Sequence, residues 1–389
     1  MGVSPAQFGN VVSAYAFSAG ISGILAAGFA DKFDRKKLLL FFYSGFILGT
    51  LACATASNYQ MLLIARIITG LFGGVIGSIS MAIITDLFAV HQRGRVMGFV
   101  QMAFAASQVL GIPIGLYLAN KWGWHSAFYM IVLLALSIGV SVLTTLKPID
   151  KHLALQSDKN AFLHLWHTVS GKNYQFSFLA TMFLSVGGFM MMPFSSAYLL
   201  NNMQVTADQL PIIFMATGVA SIAIMPIVGK LSDRIDKFKL FAAGSVLAII
   251  MVIIYTNLVP VPLWTIIVIN IIMFMGIMSR MIPATTLYTS IPEMKDRGAF
   301  MSINSSLQQM AGGLAAIVAG HIITQQTKTG PLEHYNILGY VVSAVSVLTI
   351  FLMYKISLIV KQKAAERELQ AINDKLSERQ AEALLEQTM

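Results

Sequence analysis

The chain has 389 residues, 56% of them hydrophobic and only 11% charged, too few charges to clothe a water-soluble surface, since soluble domains carry about 25%. Its formal charge of +9 would favour nucleic acid only if the basic residues gathered with aromatics on one accessible face. They are scattered into short links between apolar runs instead, which argues against a nucleic-acid partner and makes the bilayer the solvent.

Runs long enough to cross about 30 Å of hydrocarbon fall at 8–30, 38–57, 61–89, 98–120, 125–146, 176–200, 210–231, 240–258, 263–291, 299–323 and 336–359, eleven in all. After the first comes "DKFDRKK" (31–37), six charges around one Phe. The second holds Cys53, the single cysteine, so no intramolecular disulfide forms. The third contains Arg66 and ends near Asp86, and a basic link with Arg93 and Arg95 follows. The fourth carries Gln101, Gln108 and the stretch "VLGIPIG".

Residues 147–175 separate five runs from six and read as a linker with a short amphipathic helix on the membrane face. Beyond it, "GGFMMMPF" ends a run in soft side chains, Met191 and Phe194 among them, that repack around varied apolar ligands or simply fill space. A second charged link, "SDRIDKFK" (232–239), nearly copies the first. Asn270 and Arg280 lie in the ninth run, and Asn304 and Gln308 in the tenth. The tail at 360–389 has Leu369, Ile372 and Leu376 at helical spacing amid charges.

The links alternate in character. Apart from Arg66 and Arg280 inside runs, only Lys121 and Lys328 lie outside one alternate set of links plus the tail. This positive-inside signal puts the basic links and the C-terminus in the cytoplasm. Trp122, Trp124 and Trp264 fall at the opposite boundary, where indole rings prefer the headgroup level.

Overlaying the halves at an offset of 202–204 places Asp31 on Asp233, Lys32 on Arg234, Asp34 on Asp236 and Arg93-Gly94 on Arg297-Gly298. This is an internal duplication of a multi-helix unit. The two charged links resemble the signature G-x-L-a-D-r-x-G-r-k-x-x-L of the major facilitator superfamily. "AGFADKFDRKKLL" supplies Asp31, Lys32, Arg35, Lys36 and Leu39; "GKLSDRIDKFKLF" supplies Gly229, Leu231, Asp233, Arg234 and Lys237. Asp34 and Asp236 stand where that family usually has Gly. Arg66 and Gly70 resemble its helix-4 signature, with Thr69 at the usual Gln. Gly111, Pro113 and Gly115 keep part of the helix-5 pattern of its drug:proton antiporter branch.

The resemblance implies an all-α polytopic membrane protein with two pseudo-symmetric helical bundles. Residues 1–146 would form the first (family helices 2–6) and 176–359 the second (helices 7–12), joined by 147–175 and followed by the tail. No upstream segment matches helix 1, so a start placed too late or a shortened gene is expected, and a non-transporting membrane protein is the alternative. The implied function is secondary active transport of a small organic molecule across the bacterial inner membrane, outward and proton-coupled, by a monomer without metal or cofactor.

The charged links (Asp31, Lys32, Arg35, Lys36, Asp86, Arg93, Arg95, Gly229, Asp233, Arg234, Lys237, Arg297) are then expected to latch and release the cytoplasmic ends of the two halves, Asp31 and Asp233 above all, whereas Lys36 and Lys37 are favoured as charges that only set topology. Carboxylates there can cap facing helices, and Arg35 can pair with Asp86. Arg66, Gln101, Gln108, Met191, Phe194, Asn270, Arg280, Asn304 and Gln308 are candidates for the path: an ionisable group in a span should face a cavity, and for the Gln and Asn residues helix–helix hydrogen bonding is the equal rival. For Arg280, near the basic end, snorkelling to the headgroups is the equal rival. No Asp or Glu lies in the middle of any run. Enzyme signatures are absent too: there is no HExxH, no carboxylate pair in a span and no G-x-S-x-G.

Overall fold

The computed structural model describes residues 3–27, 33–88, 96, 106–150, 168–292, 297–327 and 330–388. Its helices are α1 (Pro5–Ala27), α2 (Arg35–Ala54), α3 (Tyr59–Leu87), α4 (Ile112–Trp122), α5 (His125–Thr145), α6 (Lys172–Met191), α7 (Ser195–Asn201), α8 (Leu210–Arg234), α9 (Lys237–Thr256), α10 (Leu263–Thr289), α11 (Arg297–Ile322) and α12 (Tyr335–Thr388). A π turn over Ser107–Gly111 leads into α4, and a 3₁₀ turn over Met192–Phe194 joins α6 to α7. Helices are the expected answer to an apolar solvent, because each satisfies its own backbone N–H and C=O groups. Side chains close several ends: Asp34, Asn58 and Asp236 cap α2, α3 and α9 by accepting from the third residue beyond them.

Among the described residues, nine helices are long and apolar enough to cross a membrane. The other two expected spans are accounted for differently. Of the 98–120 run, the described part starts at Ala106. The 299–323 run is the 26-residue α11, long enough but studded with Ser302, Asn304, Ser305, Ser306, Gln308 and Gln309. It tolerates them because it packs between α1 and α6, in protein rather than lipid.

Neighbour packing closes a ring. In order around it run α1, α3, α2, α5 and α4, then α8, α10, α9, α12, α6 and α11, which returns to α1. The first five come from the first bundle and the rest from the second, so α1 with α11 and α4 with α8 form the two seams. The second bundle holds two large apolar clusters. One surrounds Met190, Tyr198, Tyr255 and Tyr335 and the other Phe178, Phe241, Phe300 and Met353, whereas the first bundle has a smaller one around Leu38, Phe42, Val75 and Ile79. Across the expected boundary of 359 and 360, α12 runs on as one helix of 54 residues.

Candidate functional site

Each bundle carries one capping aspartate at its charged link. Asp34 Oδ1 accepts the Lys37 N–H at 2.9 Å, and Oδ2 accepts the Ile149 N–H at 3.0 Å. The Arg35 N–H returns a bond to the Ile149 carbonyl at 3.1 Å. Asp236 Oδ1 likewise accepts the Lys239 N–H at 3.1 Å, but its Oδ2 lies 2.8 Å from Lys361 Nζ on α12. The hydrogen bond from Lys361, helped by the Lys239 N–H, holds the Asp236 carboxyl below the usual carboxylate range. Lys363 Nζ adds a bond to the Ile291 carbonyl at 2.9 Å.

Arg35 is buried, and its Nε donates to Asp86 Oδ2 at 3.2 Å, tying α2 to α3. Lys36 Nζ donates to the Leu143 carbonyl at the end of α5 at 2.9 Å. Each of these bonds stays within one bundle. Asp31, Lys32, Arg93 and Arg95 lie outside the described residues, and the Asp233 and Arg297 side chains outside what is described of α8 and α11. Gly229 has open space where a Cβ would point, Arg234 is exposed and Lys237 opens α9.

The seam of α1 with α11 is built on glycine. A Cβ on Gly9 would stand 2.5 Å from the Ala316 carbonyl oxygen, and one on Gly320 would stand 2.7 Å from the Pro5 carbonyl oxygen. The backbones therefore meet directly at the end opposite the charged links, a packing that larger residues forbid. Phe8 of α1 also meets Phe194 edge to face, with centroids 5.7 Å apart. At the other seam Asn120 Nδ2 donates to the Ala207 carbonyl at 2.7 Å. Both seams are thus closed at this end.

Of the expected path residues, Arg66 places its guanidinium 4.4 Å from the centre of the Tyr15 ring, a cation–π contact, and it has no ion pair among the described residues. Asn304 is buried on α11 and accepts the Thr181 hydroxyl of α6 at 2.5 Å, while Asn270 donates back to the Ile266 carbonyl of its own helix at 2.9 Å. Gln308 is half-buried on α11. Met191 and Phe194 are buried in the apolar cluster of the second bundle, which favours packing as their role. Gln101 lies outside the described residues, and the Gln108 side chain outside what is described of the π turn. Gly111 closes that turn, Pro113 is buried at the start of α4, and Gly115 lies two residues further on.

Arg280 departs from the snorkelling expectation. It is only 6% exposed, on the face of α10 shared with Asn270, Met273, Gly276 and Leu287. Its Nη1 donates to Ser346 Oγ of α12 at 3.1 Å, and the guanidinium carbon sits 5.9 Å from the Phe241 ring centre. Nε and Nη2 are buried with no hydrogen-bond partner among the described residues.

Sequence reasoning missed several of these groups. Asp34 and Asp236 counted only as departures from a glycine pattern, although an Asp just before an apolar helix is itself a start signal. Lys361 and Lys363 were assigned to the tail, and Tyr15 and Thr181 carried no signal beyond their type. Among the described residues no group of His, Cys, Asp and Glu is placed to hold a metal.

The family model described as Major Facilitator Superfamily matches residues 1–316 and 178–380. An uncharacterized MFS-type transporter, YbcL of Bacillus subtilis (strain 168), is 23% identical over 352 residues, covering 90% of this chain and 88% of its own. Multidrug resistance protein 3 of the same organism is 35% identical over a shorter stretch of 101 residues, 26% of this chain and 20% of its own. Among solved structures, a D-xylose-proton symporter superposes with a TM-score of 0.72 at 16% identity, covering 90% of this chain and 88% of that one.

Proposed function

This chain belongs to the major facilitator superfamily, and from that premise we propose that it exports a small organic molecule across the bacterial inner membrane by alternating access, driven by the proton gradient. In this reading residues 1–146 and 176–359 are the two moving halves, 147–175 links them, and the basic links and C-terminus face the cytoplasm.

The observation that carries the reading is the pair of seams between the halves. At the end opposite the charged links the halves touch through Gly9, Gly320 and the Asn120–Ala207 bond. The contact also includes Phe8 on Phe194 and continues along α1 to Gly20, where a Cβ would stand 2.8 Å from the Ser306 carbonyl oxygen, so the α1–α11 seam is a smooth track of small residues on which the halves can rock. Arg66 and Tyr15, beside that seam on the first half, are the proposed contacts along the path. Asp31 and Asp233 are proposed as parts of a latch at the opposite end. Similarity to multidrug resistance protein 3 supports the outward direction, and likeness to the D-xylose-proton symporter supports proton coupling.

Reconstitution into vesicles with an imposed pH gradient tests the proposal. Flux of at least one member of a panel of small organic molecules is expected, abolished by a protonophore and by Gly9→Val with Gly320→Val. Flux indifferent to the protonophore would remove proton coupling. No gradient-driven flux across the panel would overturn the reading.

A further inference from the structure

Buried charge in a membrane bundle needs a counterpart, because the lipid offers none. Arg280 is the sharpest case in the molecule. It lies inside the second bundle, 6% exposed, and no Asp or Glu occurs in the middle of any apolar run. One side of its guanidinium is held, since Nη1 donates to Ser346 Oγ. The two groups without a partner among the described residues, Nε and Nη2, form the other edge. Their N–H bonds run parallel, the fork that matches two oxygens of a carboxylate or phosphate. Ser346 and the Phe241 ring below fix the plane of that fork, so an incoming anion meets a preset donor pair.

We propose that Arg280 recognises an anionic group, a carboxylate or phosphate oxyanion, on the molecule this protein moves. This rests on the transport reading above and names its substrate class as organic anions. Access follows from α10 itself. Pro283, one turn beyond Arg280 inside the helix, has no N–H to give the Ser279 carbonyl, which leaves the helix a bending point beside the fork. On the other side Gly244 and Gly276 set α9 and α10 backbone to backbone, a Cβ on Gly276 falling 2.9 Å from the Ala248 nitrogen. Bending at the proline shifts the fork relative to α9, which the glycine contact holds in place. Ser245, next to Gly244, adds a buried hydroxyl without a partner in the same bundle.

Thermal unfolding of the purified full chain in detergent tests this without requiring transport. The probes are benzoate, phenyl phosphate, gluconate and citrate, with benzyl alcohol, inorganic phosphate and sodium chloride at matched ionic strength as controls. At least one organic anion should raise the midpoint saturably, and the controls should not. In Arg280→Met the rise should vanish while the ligand-free midpoint increases, because an unpaired buried charge has been removed. Arg280→Lys keeps the charge and loses the fork, and should weaken the apparent affinity at least tenfold in a folded protein.

A response to inorganic phosphate alone, an equal response in Arg280→Met, or no response across the organic anions would overturn the proposal. So would a lowered ligand-free midpoint in Arg280→Met, which would make the arginine a structural strut. Failure here leaves vesicle flux untouched. Binding without flux counts against the transport reading alone.

Discussion

The two charged links start from one plan and finish it differently. Asp34 and Asp236 cap α2 and α9 with the same bond to the third residue onward. In the first bundle the second carboxylate oxygen takes a backbone N–H from Ile149, and α2 is also tied to α3 by the buried Arg35 with Asp86. In the second, Lys237 stands opposite Arg35 in the repeat and Ser290 opposite Asp86, so the internal ion pair has no equivalent among the described residues there. Two lysines of α12 replace it, one on Asp236 and one on the Ile291 carbonyl. The repeat fixes where a helix must start. It leaves each half to find its own partner for the rest.

The comparison breaks most severely at Asp86. Asp86→Ala strips an acceptor from a buried guanidinium and should cost about 2–4 kcal/mol. Ser290→Ala, at the repeat-equivalent position, should cost well under about 1 kcal/mol. Thermal unfolding in detergent separates them; equal losses would mean that the pair does not hold α2 to α3.

Removing the caps should show a smaller difference. Asp34→Ala loses a cap and a tie to the chain after α5, about 1–2 kcal/mol, while Asp34→Asn should recover most of it. Asp236→Ala should cost about 1 kcal/mol, since its second tie is an exposed ion pair. A larger loss at Asp236 than at Asp34 would reverse the ranking of the two halves.

The smallest effect concerns Lys361, 64% exposed at its side chain. Lys361→Met should cost no more than about 1 kcal/mol, and the loss should shrink as salt is raised, whereas the Asp34 variants should not respond to salt. Because the folded Asp236 carboxyl is held below its ordinary value, its contribution is present above the unfolded carboxylate range. It is lost as pH falls through the folded value. Unfolding followed from pH 6 down to pH 3 should therefore show a shallower acid loss in Lys361→Met than in the parent. An unchanged slope would mean that Lys361 does not set that carboxyl.

Much of the fold was legible because hydrophobic run length and link charge are properties of composition, and a bilayer reads composition directly. The spans around Phe42, Val132 or Ile266 needed no tertiary knowledge. The polar α11 was read as a span only by its length, since its serines and glutamines are tolerated through packing on α1 and α6, which a single sequence does not display. The site was less legible for the same reason. Arg280 looked equally able to snorkel or to face inward, and the choice was made by Ser346 of α12, 66 residues away. Asp34 was visible but misread, because comparison with a glycine pattern obscured the simpler local rule of helix capping.

The unbroken α12 has a use beyond holding Lys361 and Lys363. Its apolar run ends at 359, yet the helix continues to Thr388, a projection of about 44 Å at 1.5 Å per residue. A membrane protein of 42.3 kDa offers little mass outside the micelle for aligning particle images. A small helical domain fused in register at Thr388 would ride on the same rod as the second bundle and report that bundle's orientation directly in cryo-electron micrographs.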